Sequence, residues 1–468
     1  MESFDYIIVG GGPSGLTLAW HLNKLGKRVL VIEKDSSLGG CHRVKRVDKI
    51  FTEHGPRIYL DNYVAFMSLL EDMDLSFYDY FTPYGFSIWS MGITKYLSFR
   101  EIGALAIAFI KKNDSYKDIG LIDFAEKHKF SDTAKWYLDR LCRLSDGAGI
   151  ARYTLYNFIQ LANQNLFYKF YQPKLPNDIG FVNAWEMKLR EKGVSFMLDT
   201  SVIYIHKDRN REFLLVENNQ SREIEKISAK RYILAIPPES IVKILERSNV
   251  NDMLGDYGKL VEWEKRTRYL TYLSITYHWD YEVQLPKIWG FPVSKWGVAF
   301  VVLTDDMNMK DIRSKTVISA AVSVYDVKGE NGKYPNDCTE GEVIIEVFGQ
   351  LKKIFGNLPK PTISLISPNV YRENDKWVSG DTAFVTTVNK YIPQETKYPE
   401  FYNCGSHNGL SDYSFTSLET AVQNAMHLIN RLEPDAKLFV PDISGTVHNY
   451  ILNGLLVLCF MIIVSYIL

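Results

Sequence analysis

Cysteine is sparse in this sequence: five residues, Cys41, Cys142, Cys338, Cys404 and Cys459, are spread over 468 positions. No Cys-x-x-Cys pair occurs and no histidine sits at metal-ligand spacing, so the pattern argues against a zinc site and against a disulfide framework. The scatter fits a reducing compartment. Charge of one sign is also missing. The net value is −1, which gives nothing to steer the chain toward nucleic acid. The segment Met1–Tyr6 has no basic n-region, and the apolar run Tyr6–Val9 is too short for a signal h-region. Internal repeats and low-complexity tracts are absent as well.

What the sequence has is length and apolar content. Its residues are 46% hydrophobic, 23% charged and 13% aromatic. Such a chain can bury a large core in two or more folding units. The aromatics suit cores and an elongated pocket. One long apolar run stands out, Ile451–Leu468, with 18 residues and no charge. At about 1.5 Å per residue it would span roughly 27 Å, near the hydrocarbon thickness of a thin bilayer. The expectation is a transmembrane tail anchor over 450–468, joined by a linker over 434–449, with the body facing the cytosol.

The first forty residues spell a β-α-β unit. Asp5–Val9 reads as a buried strand, Gly10–Gly15 as a glycine-rich turn, Leu16–Leu25 as a helix stopped by Gly26, and Val29–Glu33 as a second strand. From Leu69 to Gln172 the pattern is mostly helical, clearest over Asp123–Cys142. Strand-sized runs follow at Val194–Leu198, Val202–His206, Phe213–Glu217 and Arg231–Pro238. Apolar or alternating runs at 268–278, 298–303 and 316–324 suggest an antiparallel sheet, and Glu342–Phe355 and Thr416–Leu432 read as amphipathic helices.

Gly10-Gly11-Gly12-Pro13-Ser14-Gly15 matches G-x-G-x-x-G, and its place between a strand and a helix makes it a dinucleotide site. Gly10 permits the tight turn, Gly12 lets the backbone approach a pyrophosphate, and Gly15 lets the helix pack on the strand. The helix N-terminus offers its free N–H groups to the phosphates. Glu33, followed by Lys34, ends the second strand. Its carboxylate can accept hydrogen bonds from ribose hydroxyls and would repel a 2′-phosphate.

A second glycine pair comes next, in Leu38-Gly39-Gly40-Cys41-His42-Arg43, and then Phe51-Thr52-Glu53-His54-Gly55-Pro56-Arg57. Here the sequence resembles the superfamily of flavin-containing amine oxidases, protoporphyrinogen oxidases, phytoene desaturases and UDP-galactopyranose mutases. Thr200-Ser201-Val202, Ile233–Pro238 and Tyr402–Ser406 followed by Ser417–Val422 extend the resemblance. The likeness covers 5–57, 193–238 and 401–432. It implies an α/β fold: a discontinuous Rossmann-type FAD-binding domain with an inserted α+β substrate domain. The implied division is 1–80, 191–245 and 395–433 for the FAD domain, 81–190 for a helical insertion and 246–394 for an antiparallel-sheet substrate domain.

The resemblance also implies non-covalent FAD and no metal. Its contacts would be Gly10, Gly12, Pro13, Ser14, Gly15, Glu33, Lys34, Gly39, Gly40, Cys41, Arg43, Gly55, Pro56, Arg57, Val202, Gly405, Ser417, Leu418 and Ala421. Two positions depart from the family pattern. Cys41 stands where many members have arginine, which leaves Arg43 to replace it at the phosphates. Ser406 stands where many have an acid. His54, Arg57 and Tyr391 are the catalytic candidates: Arg57 to orient an anionic substrate or stabilise charge on the reduced ring, His54 to exchange protons near neutral pH, and Tyr391 to line the pocket.

The implied reaction is hydride transfer from a C–N or C–C bond to flavin N5, with reoxidation by oxygen. The substrate would be a small molecule, of lipophilic type if the membrane location governs it. The alternatives are a flavin-dependent sugar-nucleotide mutase and a non-catalytic FAD-binding protein. The sequence leaves the oligomeric state open.

Overall fold

The structure is a computed structural model of the whole chain. It describes residues 4–441 except 112–113, 147–148, 166–167, 210, 271, 291–292, 311–312, 381–382, 387–391 and 412–416; beyond 441 it describes 451, 452, 454, 455 and 461.

A five-stranded parallel sheet forms the first layer. Its strands are β1 (Phe4–Val9), β2 (Val29–Ile32), β3 (Ser195–Met197), β4 (Ala229–Leu234) and β5 (Phe401–Asn403), in the order β5-β4-β1-β2-β3. Four separated stretches of chain therefore build one sheet. In β1, Ile8 lies between Val31 of β2 and Ile233 of β4. The four residues of β2 are all buried, as expected of a parallel strand covered on both faces.

Helix α1 (Pro13–Lys24) and helix α2 (Leu418–Leu432) pack on one face of the sheet. Phe181–Glu191, inside the stretch read from the sequence as a helical insertion, forms a further helix there. Its Phe181, Val182, Trp185 and Leu189 join the same core as Leu16, Leu18 and Val422. The opposite face packs on the meander Thr200–Lys207, Glu212–Asn218 and Ile224–Ile227, and on the helix Pro238–Arg247.

The helical stretch is present, with Leu121–Lys127 and Asp132–Asp146 as the anticipated pair. It also holds short strands the sequence did not reveal: Phe81–Pro83 and Phe170–Pro173 pair with each other, and the latter also with Tyr59–Leu60.

A second sheet is antiparallel, in the order Val298–Val302, Thr316–Val322, Leu273–Trp279, Ile363–Ile366. Its middle strand has a face for each of two tasks. Leu273, Ile275, Tyr277 and Trp279 enter a core with Val343, Val347 and Leu351 of the helix Glu340–Phe355. The alternate residues Ser274, Thr276 and His278 are buried polar groups on the other face. That face meets a hairpin, Val44–Val47 with Ile50–Glu53, which follows the second glycine pair.

Among the described residues no helix is long and apolar enough to cross a membrane. Most of the apolar run anticipated as an anchor lies outside the described residues.

Candidate cofactor and active site

Three glycine positions show what the turn after β1 is built to do. Gly10 has φ +110°, and a Cβ there would lie 2.4 Å from the Ala235 carbonyl oxygen, so only glycine suits the turn. A Cβ on Gly15 would lie 1.9 Å from the Gly10 carbonyl oxygen, because α1 sits directly against the turn. A Cβ on Gly12 would meet nothing closer than Gly40 Cα at 3.8 Å. Gly12 thus faces open space at the start of α1. Pro13 takes the first helical position, where its missing N–H costs nothing. No acidic side chain occupies the first turn, so the positive end of the helix is left to an anion.

The second glycine pair lies against the first. Gly39 donates its N–H to the Gly11 carbonyl at 2.8 Å, and a Cβ on Gly40 would stand 3.1 Å from Gly12 Cα. The last motif joins from α2. Ser14 Oγ donates to the Ala421 carbonyl at 3.1 Å, and Ser417 caps α2 by accepting from the Thr420 N–H at 3.0 Å. Leu418 is buried beside them. Thr416, where the sequence reading began this helix, lies outside the described residues.

Gly405 has a φ of 170°, extended backbone, and is locked by Asn408 and Asn424 at 2.8 Å each. Cys404 is wholly buried in the core beside α2, which raises its thiol pKa. A thiol so placed is a packing group.

Glu33 lies at the far end of the cradle. It accepts from the Gly11 N–H at 2.7 Å and the Asp35 N–H at 3.0 Å. The backbone of Thr200 donates to the Glu33 carbonyl at 2.9 Å, which brings the strand bearing Val202 to the same end. Lys34 reaches the Gly380 carbonyl at 3.1 Å.

Arg43 is not directed as the sequence suggested. Its buried guanidinium spans Glu33 at 3.1 Å, Asp35 at 2.7 Å and the Ser37 carbonyl at 2.8 Å. Two carboxylates with one cation between them form a structural triad. Cys41 supplies a carbonyl, which accepts from Arg57.

The segment 54–57 links the cradle to the second sheet. Ser274 donates to the His54 carbonyl, and a Cβ on Gly55 would lie 2.9 Å from the ring of Tyr272. Arg57 donates to Cys41, and its own carbonyl accepts from Gln172. Pro56 lies between them. Tyr391 lies outside the described residues.

His54 is buried against Tyr272, and neither ring nitrogen has a hydrogen-bond partner among the described residues. Burial, aided by the Arg57 cation, lowers its pKa to about 3. Burial thus favours the neutral ring at pH 7, against the proton exchange anticipated for it. Its neighbour Glu53 was missed. Burial raises that carboxyl to about 7, against the opposing pull of Ser319 and Arg57. Glu419 was missed too. It is wholly buried, accepts from the Ala65 and Phe66 N–H groups at 2.8 and 2.9 Å, and so caps the helix Val64–Asp72.

Comparison with known proteins places this architecture. Residues 8–73 match the NAD(P)-binding Rossmann-like domain family. Over 70 residues the chain is 37% identical to coproporphyrinogen III oxidase of Propionibacterium freudenreichii subsp. freudenreichii, covering 15% of this chain and 13% of that one. The chain matches no more than 16% of the length of its curated relatives. The fold extends much further. A solved structure described as a protoporphyrinogen oxidase from Exiguobacterium sp. 255-15 shares it with TM-score 0.63 at 18% identity, covering 93% of this chain and 100% of that one. A putrescine oxidase bound to putrescine shares it with TM-score 0.65 at 15% identity, covering 92% and 98%.

The fold of the chain is that of these solved oxidase structures.

FAD, the cofactor that the sequence resemblance implies, fits the residues present. The open side of Gly12 and the uncommitted start of α1 suit the pyrophosphate, and Glu33 suits the ribose.

Proposed function

We propose that this protein is an FAD-dependent oxidoreductase of the amine-oxidase type, acting on a C–N or C–C bond of a small molecule with oxygen as the final acceptor. When bound, FAD supplies the hydride acceptor, N5 of its ring.

The observation that carries the reading is the position of residues 54–57. They leave the glycine cradle through Arg57 to Cys41 and meet the polar face of the second sheet through His54 and Ser274. A substrate held between the two sheets would lie against this segment. Buried His54 and half-buried Tyr272 would limit water there, and the Arg57 guanidinium would orient an anionic or electron-rich group. The oxidase neighbours act on a diamine and on a porphyrinogen by their descriptions, and both classes are the first to test. Purified protein should show bound flavin absorbing at about 450 nm, bleached without oxygen by one of these classes. Isomerisation of a sugar nucleotide under reducing conditions, with no bleaching by any amine or porphyrinogen, would turn the reading to the mutase alternative.

The run Ile451–Leu468 supports a membrane-spanning segment. Truncation before Tyr450 should release the protein from membranes; continued sedimentation with them would refute this.

A further inference from the structure

A small cavity closes beneath the hairpin, lined by Glu53, Arg57, Tyr59, Gln172 and Asn177 among others. Two buried oxygens there, Glu53 Oε1 and Asn177 Oδ1, have no hydrogen-bond partner among the described residues. A buried polar group left unmatched costs about 1–3 kcal/mol. A donor therefore belongs between them, and the space suits about one water molecule.

We infer that Glu53 takes up the proton released when substrate is oxidised, with a water in this cavity as its carrier. The inference rests on the oxidoreductase reading above. Oxidation of R–CH2–NH2 to R–CH=NH removes one hydrogen from carbon with both bonding electrons and one from nitrogen as a proton. The hydride goes to the flavin, and the proton converts the Glu53 carboxylate to the acid. For a C–C bond the proton leaves the neighbouring carbon as the double bond forms. On reoxidation, oxygen gains two electrons and two protons as hydrogen peroxide, the second proton coming from Glu53.

The groups around Glu53 leave it as the exchanger. Arg57 is the nearby cation and holds the carboxylate form in reach. His54 titrates at about 3 and stays neutral. Tyr59 is tied to His42 at 2.9 Å, and burial raises the pKa of one and lowers that of the other, so both remain neutral. Gln172 donates to the Arg57 carbonyl, and Asn177 donates to the His42 carbonyl at 2.8 Å. Ser319 faces the carboxyl from the second sheet. Lys45, on the strand paired to Glu53, is turned away to Asp35 at 3.1 Å.

The test is the midpoint potential of the bound flavin against pH, measured on the full-length holoprotein for wild type, Glu53→Gln and Glu53→Asp. Between about pH 6 and 8 the wild-type potential should fall more steeply than that of Glu53→Gln, with Glu53→Asp keeping the steeper slope. Equal slopes in flavin-bearing wild type and Glu53→Gln would overturn the inference. If Glu53→Gln does not fold, the reduced-minus-oxidised infrared difference spectrum of wild type decides. A protonated-carboxyl band gained on reduction supports the inference, and its absence overturns it. A protein that binds no flavin would sink the underlying reading instead.

Discussion

Replacing Gly12 and Gly15 with alanine, one at a time, separates what the fold needs from what the cofactor needs. Gly12 has φ −82°, which alanine adopts freely, and its new Cβ would meet nothing nearer than 3.8 Å. Gly12→Ala should therefore change the stability of the flavin-free protein by no more than about 0.5 kcal/mol. Its methyl group would nevertheless project toward the phosphates and push one away from the N–H groups at the start of α1. One lost charge-assisted hydrogen bond is worth about 1.5–3 kcal/mol, or about 10- to 150-fold in FAD affinity.

Gly15→Ala should do the reverse first. Its Cβ would stand 1.9 Å from the Gly10 carbonyl oxygen, a backbone atom that cannot swing aside. Helix α1 would have to move off β1, at a cost of about 1–3 kcal/mol or more. For a chain of this length that lowers Tm by roughly 1–3 °C if it melts as one unit. Melting without flavin and fluorescence titration with FAD measure the two effects. If Gly12→Ala melted as early as Gly15→Ala while keeping wild-type affinity for FAD, the assignment of the cradle would be wrong.

Other outcomes follow from the buried charges. Arg43→Ala leaves Glu33 and Asp35 without their shared cation and should cost about 3–5 kcal/mol in denaturant unfolding; Arg43→Lys, unable to span both, should recover only part. Glu419 titrates at about 7 through burial, above its ordinary 4.5. The folded state then binds that proton more tightly than the unfolded one. Stability should fall as pH rises from about 4.5 to 7, by roughly 3 kcal/mol, and stay lost above. Glu419→Gln should flatten that profile, so parallel profiles for variant and wild type would contradict the assignment. Ser417→Ala removes the cap of α2 and should cost about 1 kcal/mol in unfolding free energy.

The β-α-β unit and its glycines were legible because their signals are local: strand, turn and helix lie within forty residues, and each glycine answers a local backbone need. The second sheet was legible where apolar residues alternate, as in Leu273–Trp279. The hairpin beneath the site was not. Its turn, Asp48-Lys49, holds both residues at positive φ (49° and 71°) without a glycine to announce it. Charge partners were hidden for a different reason. Glu419 caps a helix 354 residues away in sequence, and Arg43 finds its carboxylates only once the glycine loops have folded. The rise of the Glu53 carboxyl was hidden because intrinsic pKa points to histidine, whereas burial moves His54 down and Glu53 up.

The most direct test of the account is the nucleotide content of the purified full-length protein, read by absorbance and by chromatography after acid precipitation. The account predicts FAD in the supernatant, approaching one molecule per chain, and a colourless pellet. A protein that carries no flavin and gains none on incubation with FAD would contradict it.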